Sequence, residues 1–386
     1  MANCSMFSRR HLIAVVAMIV LAAADLPQAQ AQAQNKLSPE KRAQIEAAVS
    51  KAMAAKHVPG VSVAVVENGE FVWSSGFGMA DVENFVPATS STLFRLASIS
   101  KAMTAVGAMQ LFERGKLDLD APIQKYCPSF PQKDAPITTR QVMGHLAGIR
   151  HYRPDPAADL ETANTKHFDN PIEGGLSFFK DDRLVSKPGR EFHYSTQGYT
   201  VVGCVIEGAS GQKYVDYMRE HVFDPAGMAS TQPDQRFSII PHRTRFYDLD
   251  SAGRLENANF LDSSYKIPGG GYISSAEDMA RFEVAILRDK LLKRATRDLM
   301  WTPLKPSDGS PDDYGLGWGT GKEAGVPDVG HNGGQPGTST SMMIAPQQQA
   351  GVVVLMNLEN GGAGELATEL LKIVVGTAGK EAVQKK

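Results

Sequence analysis

Ser98 and Lys101, three residues apart in the sequence, are of types that can act together as a nucleophile and its base. Residues three apart share one face of a helix, so the Lys101 amine could lie beside the Ser98 hydroxyl. Apolar residues recur at spacings of three and four over 99–112, which predicts a helix beginning at this pair. A serine is a weak nucleophile at neutral pH, but a lysine whose pKa is lowered by burial or nearby positive charge can activate it. The free N–H groups of the helix N-terminus could stabilise an oxyanion.

The Ser-x-x-Lys pattern is not specific by itself, because the chain contains it five times. The other four matches are Ser38–Lys41, Ser177–Lys180, Ser210–Lys213 and Ser263–Lys266. Ser38 is better explained as a helix N-cap, since Pro39 suits the first helical position. Ser177 follows two glycines in a stretch typical of a loop. Ser98 begins a long helix with periodic apolar residues, and we therefore take it as the candidate nucleophile.

Five segments of the chain resemble, in order, motifs of the superfamily of serine β-lactamases, penicillin-binding proteins and family VIII esterases. They are 94–101 (FRLASISK), 115–120 (GKLDLD), 138–149 (TTRQVMGHLAGI), 188–199 (PGREFHYSTQGY) and 331–334 (HNGG). The likeness extends over residues 40–375. It implies a β-lactamase/transpeptidase-like fold and a serine hydrolase that works through an acyl-enzyme, and we expect no metal or cofactor.

The resemblance implies a role for each residue that matches a motif. Ser98 matches the nucleophile, Lys101 its basic partner, and Tyr194 a tyrosine that serves as proton relay or base. A tyrosine normally titrates near pH 10, so a basic Tyr194 would need nearby positive charge, which Lys101 could supply. The backbone N–H groups of Ser98 and Gly334 match the oxyanion hole, where losing one donor typically raises the barrier by about 3 kcal/mol.

Two positions depart from the pattern of the β-lactamases. Thr196 stands where their second motif has an asparagine, and His331 stands where their third motif has a lysine. The residues expected to bind substrate are Thr196, His331, Asn332 and Gly333. A threonine lacks the amide of asparagine, and a histidine titrates near pH 6.5, whereas a lysine is a fixed cation at neutral pH. Recognition of a substrate carboxylate is therefore expected to be weak or pH-dependent.

The elements that would position these residues lie at both ends of the chain. Strands are predicted at 61–66, 71–75, 339–345 and 351–356, and helices at 38–57, 99–115, 139–146, 197–209, 212–223, 275–289 and 363–376. Asn68-Gly69 between the first two strands is a strong hairpin signal. This order predicts an α/β (α+β) fold, with an antiparallel sheet from both chain ends, flanking helices and an all-helical insertion.

The first 33 residues are predicted to be an export signal. Arg9 and Arg10 precede an apolar run of 13 residues at 12–24, too short to cross a membrane, and small residues alternate with Gln at 29–33. A periplasmic or secreted protein follows, exported by the general or the twin-arginine route. No membrane anchor would then remain, and a retained N-terminal anchor is the alternative. Residues 34–386 are predicted to form one domain, with sheet regions at 38–115 and 310–378 and a helical region at 116–309.

Composition excludes other classes of protein. Lys and Arg number 40 and Asp and Glu number 42, for a formal net charge of −2 over 386 residues. A nucleic-acid partner is not expected, because a broad nucleic-acid surface needs clustered positive charge. Three cysteines are too few for a disulfide scaffold, and Cys127 and Cys204 are expected to be free thiols unless an oxidising compartment joins them. The oligomeric state stays open.

We expect an exported serine hydrolase that acts through an acyl-enzyme on an amide, peptide or ester, with a small molecule or peptide as its partner. A class C-like β-lactamase or a D,D-carboxypeptidase is the alternative within the superfamily. A non-enzymatic alternative is a self-assembling scaffold or a penicillin-recognising module, since one member of the superfamily is regarded as a scaffold. The retention of Ser98, Lys101 and Tyr194 favours the enzyme.

Overall fold

A seven-stranded antiparallel sheet crosses the molecule in the computed structural model, which describes residues 36–153 and 164–376. The strands in chain order are β1 (Gly60–Glu67), β2 (Glu70–Asp81), β3 (Val86–Pro87), β4 (Phe94–Arg95), β5 (Gln232–Pro233), β6 (Tyr247–Leu249), β7 (Leu255–Asn257), β8 (Tyr272–Ser274), β9 (Gly319–Gly321), β10 (Asp328–Gln335), β11 (Thr338–Ala345) and β12 (Ala350–Met356). The order across the large sheet is β3-β2-β1-β12-β11-β10-β9. The predicted sheet built from both chain ends is therefore confirmed.

Helices cover both faces of this sheet. In chain order they are α1 (Pro39–Lys56), α2 (Ile99–Glu113), α3 (Thr139–Met143), α4 (Pro171–Leu176), α5 (Thr196–Ser210), α6 (Tyr214–Met218), α7 (Asp224–Ala226), α8 (Ile267–Gly270), α9 (Ala276–Leu287), α10 (Arg294–Met300) and α11 (Ala363–Val375). The central strands β1 and β12 are apolar and buried on both faces, because α1 and α11 pack on one side and α9 on the other. Within the described ranges, no helix is both long and apolar enough to cross a membrane.

The helical region between α2 and β9 contains α3–α10 and strands of two small sheets. Strands β4, β8 and β5 form one of them, and β6 pairs with β7 to form the other. The expectation of an all-helical insertion is corrected in this detail. Strands of two or three residues are too short to leave a periodic pattern in the sequence. The predicted export signal at 1–33 lies outside the described residues.

Helix α2 runs between the sheet and the helical region. Residues 99–111 are all buried, so the helix that periodicity suggested to be amphipathic is surrounded on every side. Small residues permit this close packing. A Cβ atom on Gly107 would lie 2.7 Å from the Met218 sulfur, which shows how near α2 and α6 approach each other. The first turn of α2 is therefore held rigidly at the junction of the two regions.

A disulfide joins Cys127 to Cys204, with 5.4 Å between the Cα atoms. The default expectation of free thiols was therefore wrong, because spacing in the sequence does not reveal pairing between a loop and helix α5. The bond closes a loop of 77 residues, and constraint of the unfolded chain over that length stabilises the fold by about 4 kcal/mol. It fixes the helix whose N-terminal residues enter the site described next.

Candidate active site

The Ser98 hydroxyl lies at the N-terminal end of α2. Ser98 is the N-cap residue of the helix, yet its side chain makes no capping hydrogen bond. Ala97 before it has a φ of 47°, in the left-handed region that non-glycine residues rarely adopt. Strain of this kind costs on the order of 1 kcal/mol and is typical of functional sites. The Ser98 side chain is therefore available for chemistry rather than used to cap the helix.

The Lys101 amine reaches Ser98 one turn along the same helix. Its Nζ lies 2.9 Å from the Ser98 Oγ, 2.6 Å from the Gly269 carbonyl oxygen and 3.1 Å from the Thr196 Oγ1. A carbonyl oxygen can only accept, so one Lys101 N–H donates to Gly269. If a second N–H donates to Thr196, the lone pair of a neutral amine is left to face the Ser98 hydroxyl.

The electrostatic setting of Lys101 favours this neutral amine. Its side chain is completely buried. Burial, and secondarily the positive charge of Lys266, hold the pKa of Lys101 well below its usual range. A neutral lysine can accept a proton from Ser98, so the burial of Lys101 is consistent with the role of base that the sequence pattern predicted.

Tyr194 completes the group of proton-handling side chains. It lines the same cavity as Ser98, and the Lys101 Nζ lies 4.8 Å from its ring centroid. Burial raises the pKa of Tyr194 above its usual range, and the nearby Ser98 hydroxyl offsets only part of that shift. Of the two roles that the sequence left open, the structure therefore supports a proton relay, because the phenol stays protonated at neutral pH.

Thr196 turns towards Lys101. It is the first residue of α5 and is buried, and its hydroxyl contacts the Lys101 amine at 3.1 Å. A Cβ atom on Gly269 would lie 2.8 Å from the Thr196 methyl carbon, so the two segments meet without space for a further atom. Thr196 lines the cavity of Ser98 as expected, but its hydroxyl orients the base as well.

Two histidines that sequence reasoning left without a role hold this segment in place. The Ser195 N–H donates to His145 Nδ1 and the Thr196 N–H donates to His151 Nδ1, each at 3.1 Å. An accepting ring nitrogen carries no proton, and burial accordingly lowers the pKa of both rings, to about 4 for His151. The His145 ring also contacts Tyr194, with centroids 4.4 Å apart. The segment 138–149 that resembles a family motif contains His145 but gave that ring no role, and His151 lies just beyond it.

His331 lies on β10 and faces the same group. Its Nε2 is 2.9 Å from the Tyr314 hydroxyl, and its ring centroid is 6.3 Å from that of Tyr194. Burial, with a smaller contribution from Lys101, lowers the pKa of His331 to about 3. An imidazole with this pKa is neutral between pH 5 and 8, which favours the weak recognition of a carboxylate expected at this position over the pH-dependent one. The sequence could not reveal this, because the shift comes from burial and from Lys101.

The remaining third-motif residues divide between the two faces of β10. The Asn332 Oδ1 accepts from the Ser341 hydroxyl at 2.7 Å, and its side chain packs beside Gly364 of α11. The Asn332 side chain is thus directed away from Ser98. A Cβ atom on Gly333 would lie 2.4 Å from the Leu96 carbonyl oxygen. Gly333 therefore serves by having no side chain, which lets β10 approach the segment before the nucleophile.

Gly334 is placed to serve the oxyanion hole. It pairs with Ser339 of β11, one position from the closing pair of a two-residue turn. Pairs alternate in an antiparallel ladder, so the Gly334 N–H faces away from β11 and towards the open edge. That edge borders the cavity that contains Ser98. Residues 328–335 form a strand here, which was not among the strands predicted from the sequence.

The beta-lactamase family model matches residues 45–375 of this chain. The chain belongs to the beta-lactamase family. The mitochondrial serine beta-lactamase-like protein LACTB of Mus musculus is 33% identical, over 75% of this chain and 70% of that protein. Penicillin-binding protein 4* of Bacillus subtilis is 30% identical, over 79% of this chain and 69% of that protein. The structure of an octameric penicillin-binding protein homologue from Pyrococcus abyssi superposes with a TM-score of 0.75 at 27% identity, covering 86% of this chain and 77% of that one.

Two cavities of this beta-lactamase family member meet at Tyr194. The Ser98 cavity, of about 170 Å³, is lined by residues that include Ser98, Thr196, Lys266 and Gly334. The His331 cavity, of about 340 Å³, is lined by residues that include Tyr314, His331, Met342 and Met343. The chain therefore has room for substrate groups on both sides of Tyr194. Among the described residues, no cluster of His, Cys, Asp and Glu could hold a metal ion.

Proposed function

We propose that this protein is an exported serine hydrolase that cleaves an amide, peptide or ester by forming an acyl-enzyme on Ser98. One observation carries the proposal: the Ser98 hydroxyl lies 2.9 Å from the Lys101 amine, in a cavity that Tyr194 also lines. A nucleophile next to a base and a proton donor is the arrangement that acyl transfer requires.

Acylation follows from the state of each group. Neutral Lys101 accepts the Ser98 proton as the Ser98 oxygen attacks the carbonyl carbon of the substrate. Negative charge on the carbonyl oxygen is stabilised by the N–H groups of Ser98 and Gly334. The carbon–leaving-group bond then breaks as Tyr194 gives its proton to the leaving group, and the Lys101 ammonium returns a proton to Tyr194.

Deacylation repeats these steps with water in place of the Ser98 hydroxyl. Tyr194, relaying to Lys101, accepts the proton of the attacking water, and Ser98 recovers its proton as the acyl group leaves. The sequence contains no Glu-x-x-Leu-Asn segment to hold that water. The pair of Tyr194 and Lys101 is therefore assigned both half-reactions.

Similarity to the penicillin-binding protein of B. subtilis supports a second candidate, a β-lactamase or D,D-carboxypeptidase. The neutral His331 argues against efficient action at the position where β-lactamases have a lysine. We expect weak labelling by a fluorescent penicillin and slow turnover of nitrocefin. Fast turnover would reverse the order of the two candidates.

Similarity to the octameric homologue keeps a scaffold function open as a competing proposal. Size-exclusion chromatography combined with a fluorophosphonate serine probe separates the two. A large assembly without probe labelling would support the scaffold, whereas labelling of Ser98 would support the hydrolase.

Export rests on the basic and apolar pattern of the first 33 residues. The disulfide between Cys127 and Cys204 supports it, because such bonds persist in oxidising compartments. Cell fractionation of the full chain, with a variant in which Arg9 and Arg10 are lysines, tests both export and the twin-arginine route.

The test of the hydrolase is Ser98→Ala. Hydrolysis of p-nitrophenyl butyrate should fall by about 10⁴-fold or more, because the whole covalent route is lost. The matched control is Ser177→Ala, the same change in a chance Ser-x-x-Lys match whose hydroxyl bonds locally to the Gly174 carbonyl. Equal activity in Ser98→Ala and the parent protein would overturn the proposal.

A further inference from the structure

The Ser98 cavity contains a second lysine that the mechanism above does not use. Lys266 is only 5% exposed and lines the cavity together with Ser98. It belongs to the Ser263–Lys266 match of the Ser-x-x-Lys pattern, which the sequence gave no reason to single out. Its amine makes no hydrogen bond or ion pair with any residue that the structure describes. A buried ammonium without a partner is costly, so its position calls for a ligand.

Among the residues that the structure describes, the two acidic side chains that influence Lys266 do not neutralise it. Asp234 already pairs with Arg95 at 2.7 Å and with Arg243 at 3.2 Å. Glu359 is near enough to influence the charge on Lys266 but forms no ion pair with it. Burial and the positive charge of Arg95 outweigh both acids and lower the pKa of Lys266 to about 7. A negative charge brought by a ligand would raise that pKa again and keep the amine protonated.

The Ser98 cavity as a whole favours an anion. No aspartate or glutamate is among the described residues that line it, whereas Lys266 and the N-terminal end of α2 both contribute positive charge. The Tyr152 and Tyr265 rings line the same cavity and lie beside the Lys266 amine, with centroids at 5.7 and 5.4 Å. A single ammonium in an enclosed cavity matches a singly charged group.

We propose that Lys266 binds a carboxylate of the substrate inside the Ser98 cavity, so that the preferred substrates are amides or esters with a carboxylate close to the scissile bond. The inference rests on the proposed hydrolase function. It places the cation for that carboxylate on the 3₁₀ turn before α8, and His331 on β10 is left as a neutral hydrogen-bonding group.

The test compares esters that differ in charge. p-Nitrophenyl butyrate is neutral, mono-p-nitrophenyl glutarate carries a carboxylate on the acyl group, and 3-carboxy-4-nitrophenyl butyrate carries one on the leaving group. The measured quantity is the ratio of kcat/KM for each charged ester to that for the neutral ester, at a pH where all rates are on their plateau. Lys266→Met should lower at least one ratio about ten- to a hundred-fold, chiefly through KM.

Two further variants act as controls. Lys266→Arg keeps the charge and should restore most of the ratio. Lys116→Met removes one charge from an exposed lysine beyond the far end of α2 and should leave the ratio unchanged. Unchanged ratios in Lys266→Met would overturn the proposal. An equal loss on all three esters would also overturn it, because Lys266 would then act only through the pKa of Lys101.

A binding measurement keeps the inference separate from the hydrolase. Calorimetry with Ser98→Ala protein and glutarate monoanilide, an unreactive carboxylate, needs no turnover. If the affinity for glutarate monoanilide falls at least ten-fold in the double variant Ser98→Ala/Lys266→Met, the carboxylate site is supported even if no ester is hydrolysed. Binding that Lys266→Met leaves unaltered overturns it, even if hydrolysis through Ser98 is established.

Discussion

On the sheet side of Ser98, strand β10 contributes backbone groups to the site. Gly333 packs against the Leu96 carbonyl, and the Gly334 N–H faces the cavity. On the helical side the contributions are side chains. Tyr194 and Lys266 enter the cavity from loops and short turns, and both have pKa values shifted by burial. Position is fixed on the first side by close packing, whereas charge and proton transfer are set on the second. Substitutions on the two sides should therefore impair the protein in different ways.

The largest effect short of removing Ser98 is expected on the sheet side, from Gly333→Ala. The added Cβ would lie 2.3 Å from the Thr340 hydroxyl oxygen and 2.4 Å from the Leu96 carbonyl oxygen. Displacing β10 from the nucleophile segment should misplace an oxyanion donor and lower kcat by about 10²- to 10³-fold. Overpacking should also cost about 1–3 kcal/mol in the free energy of unfolding, measured with urea.

Gly334→Ala is the matched control for stability, since its added Cβ meets no atom within 4 Å. Its unfolding midpoint in urea should stay close to that of the parent protein. If Gly333→Ala were as stable and as active as the parent, close packing on the sheet side would not be what positions the site.

Tyr194→Phe on the helical side should have the next largest effect, and one that depends on the leaving group. Without its proton donor, hydrolysis of an alkyl ester or anilide should slow by about 10²-fold or more. A p-nitrophenolate leaves without needing a proton, so the nitrophenyl ester should lose much less in acylation. The measurement is the pre-steady-state burst for each substrate. Equal losses on both leaving groups would argue that Tyr194 positions Ser98 instead of transferring protons.

The same division explains how much could be predicted from the sequence. The central strands and α1, α2, α5, α9 and α11 followed from apolar periodicity and turn signals, since each is long enough to show a period. Strand β10 did not, because its glycines in the sequence DVGHNGGQ resemble a flexible loop until β11 supplies its partner. Two- and three-residue strands of the helical region were missed because they are defined by tertiary contacts alone.

The site could be predicted where a local motif carries the chemistry and not where burial does. Ser98, Lys101 and Tyr194 were identified from motifs, and the structure brings them together. Lys266 was dismissed as part of a chance match, and His151 had no assigned role, because sequence does not show which polar side chains a fold buries together. For the same reason the sequence left the charge state of His331 open: its pKa depends on its surroundings in the folded chain.

The smallest expected effect is that of His331→Gln on the pH dependence. With p-nitrophenyl butyrate, kcat/KM should rise with pH to a plateau, because only deprotonated Lys101 can act as base and its pKa is lowered from the usual range. His331, with a pKa of about 3, stays neutral along that rise, so its removal should not move the midpoint, whatever the plateau rate.

The other titratable groups that face Lys101 are Tyr194, Tyr199, His145, His151 and Lys266. Lys266 is charged below its own pKa of about 7, and Lys266→Met should therefore move the midpoint to higher pH by removing that repulsion. A midpoint that moves in His331→Gln and stays fixed in Lys266→Met would mean that the sheet side, and not the helical side, controls the protonation of the base.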